Sequence, residues 1–254
     1  MSDPRVAPVE DNLLAFFASV SVMPMFRPDP ATDVRAVHSD VPFPMFNAVV
    51  GARFGDDARH RTAEVADSFI EAGLPWMWWV TPSHTSPELE AVLVERGLEH
   101  EDVPGMYADL GDAPPAPEVA GLRIEEATDT AGFVDVMVAG FGLPELLREP
   151  LAEVMGRFSD AINLVGSLDG VPVACGTAYL TGTTAGLYNI ATLEAARGRG
   201  IGYAVTLELC HRARTAGAEH AVLHSSESGR PVYERAGFVE VCQVPQYVWM
   251  PPGN

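Results

Sequence analysis

The chain has 254 residues, of which 47% are hydrophobic and 20% charged, enough to bury a sizeable core as one large domain or two small ones. Arginine supplies all 16 positive side chains and the formal net charge is −19, which argues against nucleic acid or anionic lipid as partners and leaves room for a small cationic substrate. Three widely spaced cysteines, Cys175, Cys210 and Cys242, with no C-x-x-C, exclude a disulfide framework and a cysteine zinc site and point to a reducing, cytoplasmic setting.

In chain order, the first apolar run is Leu13 to Phe26, LLAFFASVSVMPMF. It is too short to span a bilayer, contains Pro24, and follows Asp3, Glu10 and Asp11 rather than a basic flank. It reads as a core-packed segment. WMWWV from Trp76 reads as a strand, and a helix ending VERGL leads to a strand containing Val103-Pro104. GDAPPAPEVAG, Gly111 to Gly121, has the composition of a surface linker and places domains at 1–112 and 119–254.

In the second part, LRIEEA from Leu122 reads as a strand. Asp129 caps a helix running to about Gly140, and a second helix starts at Pro144. Three strands follow, from Ala161, Val171 and Thr184, joined by the turn signals LDGV and TGTT. A helix beginning after Gly202 carries Glu208, His211, Arg212 and Thr215 as a polar stripe and ends at Gly217. HAVLHS is the next strand, GRPVYERAGF a short helix, and VEVCQVPQYVWM closes the sheet. The first part echoes this order, down to a second Val-Pro at 244–245, so the chain reads as two copies of one fold.

Gly198, Gly200 and Gly202 stand at the entrance of the best-patterned helix, where each glycine costs roughly 0.5–1 kcal/mol relative to alanine. A helix start leaves unpaired N–H groups and partial positive charge, a place for an anion such as a diphosphate. Glycine permits close approach and positive φ there, and Arg197 and Arg199 add donors. A P-loop needs a lysine, which the chain lacks, and the dinucleotide G-x-G-x-x-G fails because Tyr203 or Val205 stands where its third glycine belongs. The pattern R/Q-x-x-G-x-G/A fits, with Arg197, Gly200 and Gly202.

On this loop and the order of elements from Gly121 to Met250, the sequence resembles the GNAT acyltransferase superfamily. The resemblance implies an α/β (α+β) fold of two tandem lobes, each a mixed, mostly antiparallel sheet flanked by helices. It implies acetyl-CoA as co-substrate, with the amides of Gly198, Arg199, Gly200, Ile201, Gly202 and Tyr203 on its pyrophosphate and the strand Ile190, Ala191, Thr192, Leu193 along its pantetheine. Ser226 and Arg230 complete the implied cofactor set, although many relatives carry Asn where Ser226 stands. Y-x-x-x-G-F, here Tyr233 to Phe238, implies that Tyr233 meets the CoA sulfur and protonates the leaving thiolate. The general base stays open between Glu194, His224 and water, and Arg148 and Glu145 fall in the region of the acceptor rim.

The first copy lacks this equipment. Its loop reads GARFGDDARH, with Asp56 and Asp57 facing any phosphate, and Val94 is expected in the place of Tyr233. A degenerate lobe without CoA follows, one that could wall off the acceptor pocket with residues such as Phe43, Trp76 and Trp78. The expected activity is direct acetyl transfer in a ternary complex to a primary amine of a small molecule, by a metal-free monomer or homodimer. The alternatives are a protein N-terminal or lysine acetyltransferase and a non-catalytic CoA-binding module.

Overall fold

The computed structural model of the chain describes residues 3–29 and 31–253. The first part contains α1 (Val6–Ser21), β1 (Arg27–Pro28), β2 (Val34–His38), β3 (Ala48–Ala52), α2 (Ala58–Ala72), β4 (Trp76–Trp79), α3 (Pro87–Glu95), β5 (Glu99–Glu101) and β6 (Pro104–Asp109). The second contains β7 (Leu122–Glu126), α4 (Ala131–Phe141), α5 (Arg148–Met155), β8 (Ala161–Leu168), β9 (Val171–Thr181), β10 (Thr184–Thr192), α6 (Ile201–Thr215), β11 (His220–His224), α7 (Arg230–Arg235), β12 (Val239–Gln243) and β13 (Gln246–Trp249). The strands form two mixed sheets flanked by helices, in the orders β1-β2-β3-β4-β13-β5 and β12-β6-β11-β10-β9-β8-β7. Each contains a parallel pair, β3 with β4 and β10 with β11. A parallel pair needs a crossover, and α2 and α6 supply it.

Local chemistry explains most element ends. Asp169 and Gly170, at φ 49° and 83°, make the tight turn between β8 and β9 that Asp-Gly encodes. Asp129 Oδ1 accepts from the Ala131 and Gly132 amides and starts α4. The segment from Pro144 differs from a single helix: a 3-10 turn, Glu145–Leu147, precedes α5.

The final strands depart from the linear reading. VEVCQVPQYVWM does not close one sheet. It breaks at Val244-Pro245 into β12 and β13, and the two join different sheets. β13 lies antiparallel to β4, with Gln246 opposite Trp79 and Trp249 opposite Trp76. β6, from the end of the first copy, lies antiparallel to β11, with Asp109 opposite His220 and Gly105 opposite His224. Each copy's last strand therefore completes the other copy's sheet. The exchange turns at the two Val-Pro pairs, where the Val244 amide donates to Val103 O at 2.8 Å.

The compact units accordingly interleave in sequence. The larger holds the residues up to Asn12 and Gly105–Val241; the smaller holds Leu13–Pro104 and the residues from Cys242. The expected division at 112/119 does not coincide with them, because β6 lies before that point and β13 after it. The larger unit's core runs from Met106 and Leu110 through Leu164, Val205 and Leu209 to Phe238. The smaller unit's core gathers Phe69, Trp76, Trp78, Leu93 and Tyr247. The surface linker is docked along its length: Ala113, Ala116 and Val119 pack against the larger core, and the His211 ring bonds to Pro114 O at 3.0 Å.

Leu13 and Phe17 of α1 are buried, as core packing of that segment requires. Asn12 is buried as well. Its Nδ2 donates to Tyr179 O and Thr181 Oγ1, and its Oδ1 accepts from the Tyr188 hydroxyl at 2.7 Å. Gly186 makes room for it, since a Cβ there would stand 1.8 Å from Asn12 Oδ1.

Candidate active site

β10 is the strand that builds the site. It pairs with β11 only from Thr184 opposite His220 to Leu187 opposite Leu223, and then the two part. At this point β10 bulges: Tyr188 still faces Thr177, but Ala191 is the next residue in register, opposite Cys175. Asn189, in the bulge, has φ 56°, a left-handed conformation asparagine tolerates better than most residues. The Cys175 thiol stitches the bulge, donating to Asn189 O at 3.3 Å and accepting from the Ala191 amide. Burial pushes that thiol up to about 12, so it stays protonated and is no nucleophile.

Beyond the bulge β10 keeps β9 on one side: the Leu193 amide donates to Val173 O at 2.9 Å. Alternation along an antiparallel pair then turns the backbone groups of Ile190 and Thr192 to the other side, where β11 has departed. Of the four residues expected to meet pantetheine, Ile190 and Thr192 present main chain to this opening, while Ala191 and Leu193 are engaged with β9.

The chain next turns through Gly198 and Gly200, at φ 74° and 78°, and enters α6 at Ile201. A Cβ at either glycine would meet nothing within 4 Å, so their conformation, not crowding, demands glycine. The first helical amide with a backbone acceptor is Ala204, which donates to Gly200 O at 3.0 Å. Among the described residues the amides of Gly198, Arg199, Gly200, Ile201, Gly202 and Tyr203 have no acceptor. Six bare N–H groups at the positive end of a fifteen-residue helix fit a diphosphate.

The arginines divide. Arg197 is a staple: its guanidinium donates to Thr192 O at 3.1 Å and to Gly140 O at 2.8 Å, tying the loop to β10 and α4. Arg199 is exposed and makes no ion pair among the described residues. Arg230 is held by Glu234 and Glu240 at 2.8 and 2.9 Å, and would have to leave them to reach an anion. Arg235 lies over the Tyr203 ring at 4.2 Å.

Tyr233 lies on α7 against Phe238, ring centroids 6.2 Å apart. Gly229 leaves space for its ring, since a Cβ there would stand 2.8 Å from it. The hydroxyl makes no hydrogen bond to another described residue, and burial pushes its pKa up to about 12. Ser226 is spent on its own turn, accepting from the Gly229 amide and bonding to Ser228. His224 is half-buried with both ring nitrogens shielded from solvent, and desolvation lowers its pKa to about 4, so it is a neutral and weak base. Arg148 is bound by Glu145 and Asp135. Among the described residues no three His, Cys, Asp or Glu side chains gather as a metal site, and no helix is long and apolar enough to cross a membrane.

The smaller unit repeats the scaffold without the opening. β3 carries a bulge at the same place, with Arg35 opposite Gly51 but Ala36 opposite Val49. After it, Phe54 packs edge-on against Trp78, and Arg53 donates to His84 Nε2 at 3.1 Å. The His84 ring lies beside Gly51, so side chains fill the flank of β3 that is open on β10. No left-handed glycine precedes α2, whose N-cap is Asp57. The residue matching Tyr233 is Leu93, not Val94. Gly97 and Gly237 both have positive φ, and the Leu98 amide returns to Leu93 O as that of Phe238 returns to Tyr233 O. Val94 is exposed and Leu93 is core.

A splayed mixed sheet thus has a turn of unpartnered amides beside its opening. Residues 140–238 match the model of the acetyltransferase (GNAT) family. The chain is 25% identical over 146 residues to a glucosamine 6-phosphate N-acetyltransferase of Trypanosoma brucei brucei, covering 56% of this chain and 86% of that protein. Among solved structures it is similar to a GCN5-related N-acetyltransferase from Kribbella flavida, with a TM-score of 0.68, 18% identity, and 98% and 96% of the two chains covered. A tandem GNAT protein from the clavulanic acid biosynthesis pathway matches with a TM-score of 0.60 at 13% identity, covering 97% and 96%. The match to the GNAT family, whose members use acetyl-CoA as co-substrate, thus lies in residues 140–238, and the likeness of fold extends over nearly the whole chain.

Sequence reasoning missed Cys175, Thr177, Asn163 and Met155 around the bulge. Each meets Asn189 or its neighbours only through strand register, and no local pattern flags them.

Proposed function

We propose that the chain is an acetyl-CoA-dependent N-acetyltransferase acting on a primary amine of a small molecule, with the larger unit as its catalytic lobe. The observation that carries this reading is the row of unpartnered amides from Gly198 to Tyr203, beside a strand edge whose neighbour has departed. The glucosamine 6-phosphate in the name of the 25% identical relative supports a small amine.

The residues divide the work as follows. The Gly198–Tyr203 amides hold the donor's diphosphate, and Ile190 and Thr192 hold its pantetheine through main-chain bonds. The acceptor attacks as a neutral amine, with no acyl-enzyme, since the buried Cys175 and Cys210 thiols are both pushed up to about 12. Water takes the amine's proton, because His224 is too weak a base. Tyr233 answers the thiolate as it departs. Its pKa of about 12 against about 8.5 for a free thiol makes full proton transfer about 5 kcal/mol uphill as a separate step. The burial that raises the phenol also raises a thiolate beside it, so Tyr233 serves as a charge-assisted donor that completes transfer as the C–S bond breaks. In the smaller unit, Asp56, Asp57 and Leu93 make a lobe that binds no donor.

Thiol release from acetyl-CoA, measured against sugar amines, aminoglycosides, polyamines and peptide N-termini, tests the reading. Turnover with one of the small amines is the expected result. Turnover with peptides alone moves the acceptor class, and binding of acetyl-CoA without release for any amine makes the chain a non-catalytic CoA-binding module.

A further inference from the structure

The bulge of β10 carries a hydrogen-bond chain with only one allowed direction. Asn189 Nδ2 lies 3.7 Å from Met155 Sδ and 3.3 Å from Thr177 Oγ1. A thioether can only accept, so the carboxamide end facing Met155 must be the nitrogen. Thr177 in turn donates its hydroxyl proton to Asn163 Oδ1 at 2.8 Å and is left to accept from Asn189. Thr177 and Met155 are both buried, so water does not compete for these contacts. The two carboxamide protons of Asn189 are thereby directed, and its Oδ1 remains an acceptor with no partner among the described residues.

The placement gives this oxygen a use. Asn189 is two residues past the last rung that β10 shares with β11, at the mouth of the opening, with its side chain toward Met155, the last residue of α5. Its left-handed φ of 56° is a strain that a plain strand residue would not carry. The matching bulge in the smaller unit has Val50, fully buried and unable to accept anything.

We propose that Asn189 Oδ1 accepts an N–H of the incoming neutral primary amine and aims its lone pair at the acyl carbon, with Thr177 and Met155 fixing the carboxamide's orientation. This rests on the acetyl-transfer reading above. Asn189 is then an acceptor-binding residue and not a base, while Thr177 and Met155 are positioning residues. An oxygen acceptor of this kind selects a donor nucleophile that still carries hydrogen when neutral. Primary amines fit and tertiary amines do not.

The test uses the full chain with the amine found by thiol release. Asn189→Gly removes the carboxamide yet keeps the left-handed backbone. It should lower kcat/KM for the amine by about 10- to 100-fold, the loss expected for one directed hydrogen bond, with the acetyl-CoA Kd within about twofold of wild type. Asn189→Asp restores an acceptor oxygen but has no N–H for Met155 or Thr177, so it should recover only part of that loss, and Thr177→Val should give an intermediate loss through misorientation. Wild-type activity in Asn189→Gly overturns the inference. So does a parallel loss of acetyl-CoA affinity, which would make the side chain a mere support of the bulge. A wild-type protein that binds acetyl-CoA but releases no thiol with any amine fails the enzymatic reading itself, and this inference falls with it.

Discussion

The two bulged strands, β10 and β3, show how little separates an open strand edge from a closed core. Both carry one extra residue and both run parallel to the strand that follows their crossover helix. On β10 the extra residue is a polar Asn189, the turn after it holds two left-handed glycines, and the flank stays bare. On β3 it is Val50, the turn holds Phe54 and two aspartates, and His84 lies against the flank. The backbone plan is shared, so the difference lies in side chains added at the turn. The proposed binding site is a place where the sequence declines to fill its own scaffold.

The largest effect expected from breaking this contrast comes from giving the open turn a side chain. Gly200→Val puts a β-branched residue at φ 78° and a branched Cβ where the phosphates approach. Acetyl-CoA affinity by calorimetry should fall about 1,000-fold or more, about 4 kcal/mol, with the circular dichroism of the fold retained. Retained affinity would remove the turn from the site.

Acid should separate the units next. The folded value of about 4 for His224, in the larger unit, lies below the usual value of 6.5. Between those two values the unfolded chain binds more protons, so the contribution of His224 to stability is full above pH 6.5 and is lost as pH falls toward 4. The loss is about 3 kcal/mol over that window. His224→Asn should flatten the pH dependence of urea unfolding by about that much. Trp76, Trp78, Trp79 and Trp249 all belong to the smaller unit, so circular dichroism should report the acid transition more fully than tryptophan fluorescence. A variant with the wild-type slope would refute the assignment.

Tyr233→Phe keeps the ring packing on Phe238 and removes only the hydroxyl. It should lower kcat about 100-fold, with little change in acetyl-CoA affinity. Because burial holds the phenol protonated to about 12, activity should show no basic-side decline from this group below about pH 11. An unchanged kcat removes Tyr233 from the chemistry and makes it the packing equivalent of Leu93.

The glycine turn and the strands from Ala161 to Thr192 were legible in the sequence because each is a local pattern. The destination of the last strands was not. β6 and β13 both follow a Val-Pro pair and both alternate toward a core, so each suits either sheet, and only the assembled register decides. VER matches YER by letters and so points to Val94, whereas the left-handed Gly97 and Gly237 align Leu93 with Tyr233. Arg197 reads as a phosphate ligand in sequence, and only the fold reveals its two carbonyl partners. Asn12 and the Asn189 chain depend on contacts across tens to hundreds of residues, beyond any window of periodicity.

The smallest expected effect is the most demanding of the comparison. Asp56→Gly with Asp57→Gly gives the smaller unit a glycine-rich turn before α2. Asp57 makes no side-chain cap bond, so the change should cost only a few tenths of a kcal/mol. If glycines alone made the site, a second equivalent of acetyl-CoA would bind. One equivalent per chain is the expected stoichiometry by calorimetry. Phe54 on Trp78 and the Arg53–His84 pair still fill the flank of β3, and Leu93 offers no hydroxyl. A stoichiometry of two would mean that the aspartates were the only barrier, and that the packing beside β3 yields to a ligand.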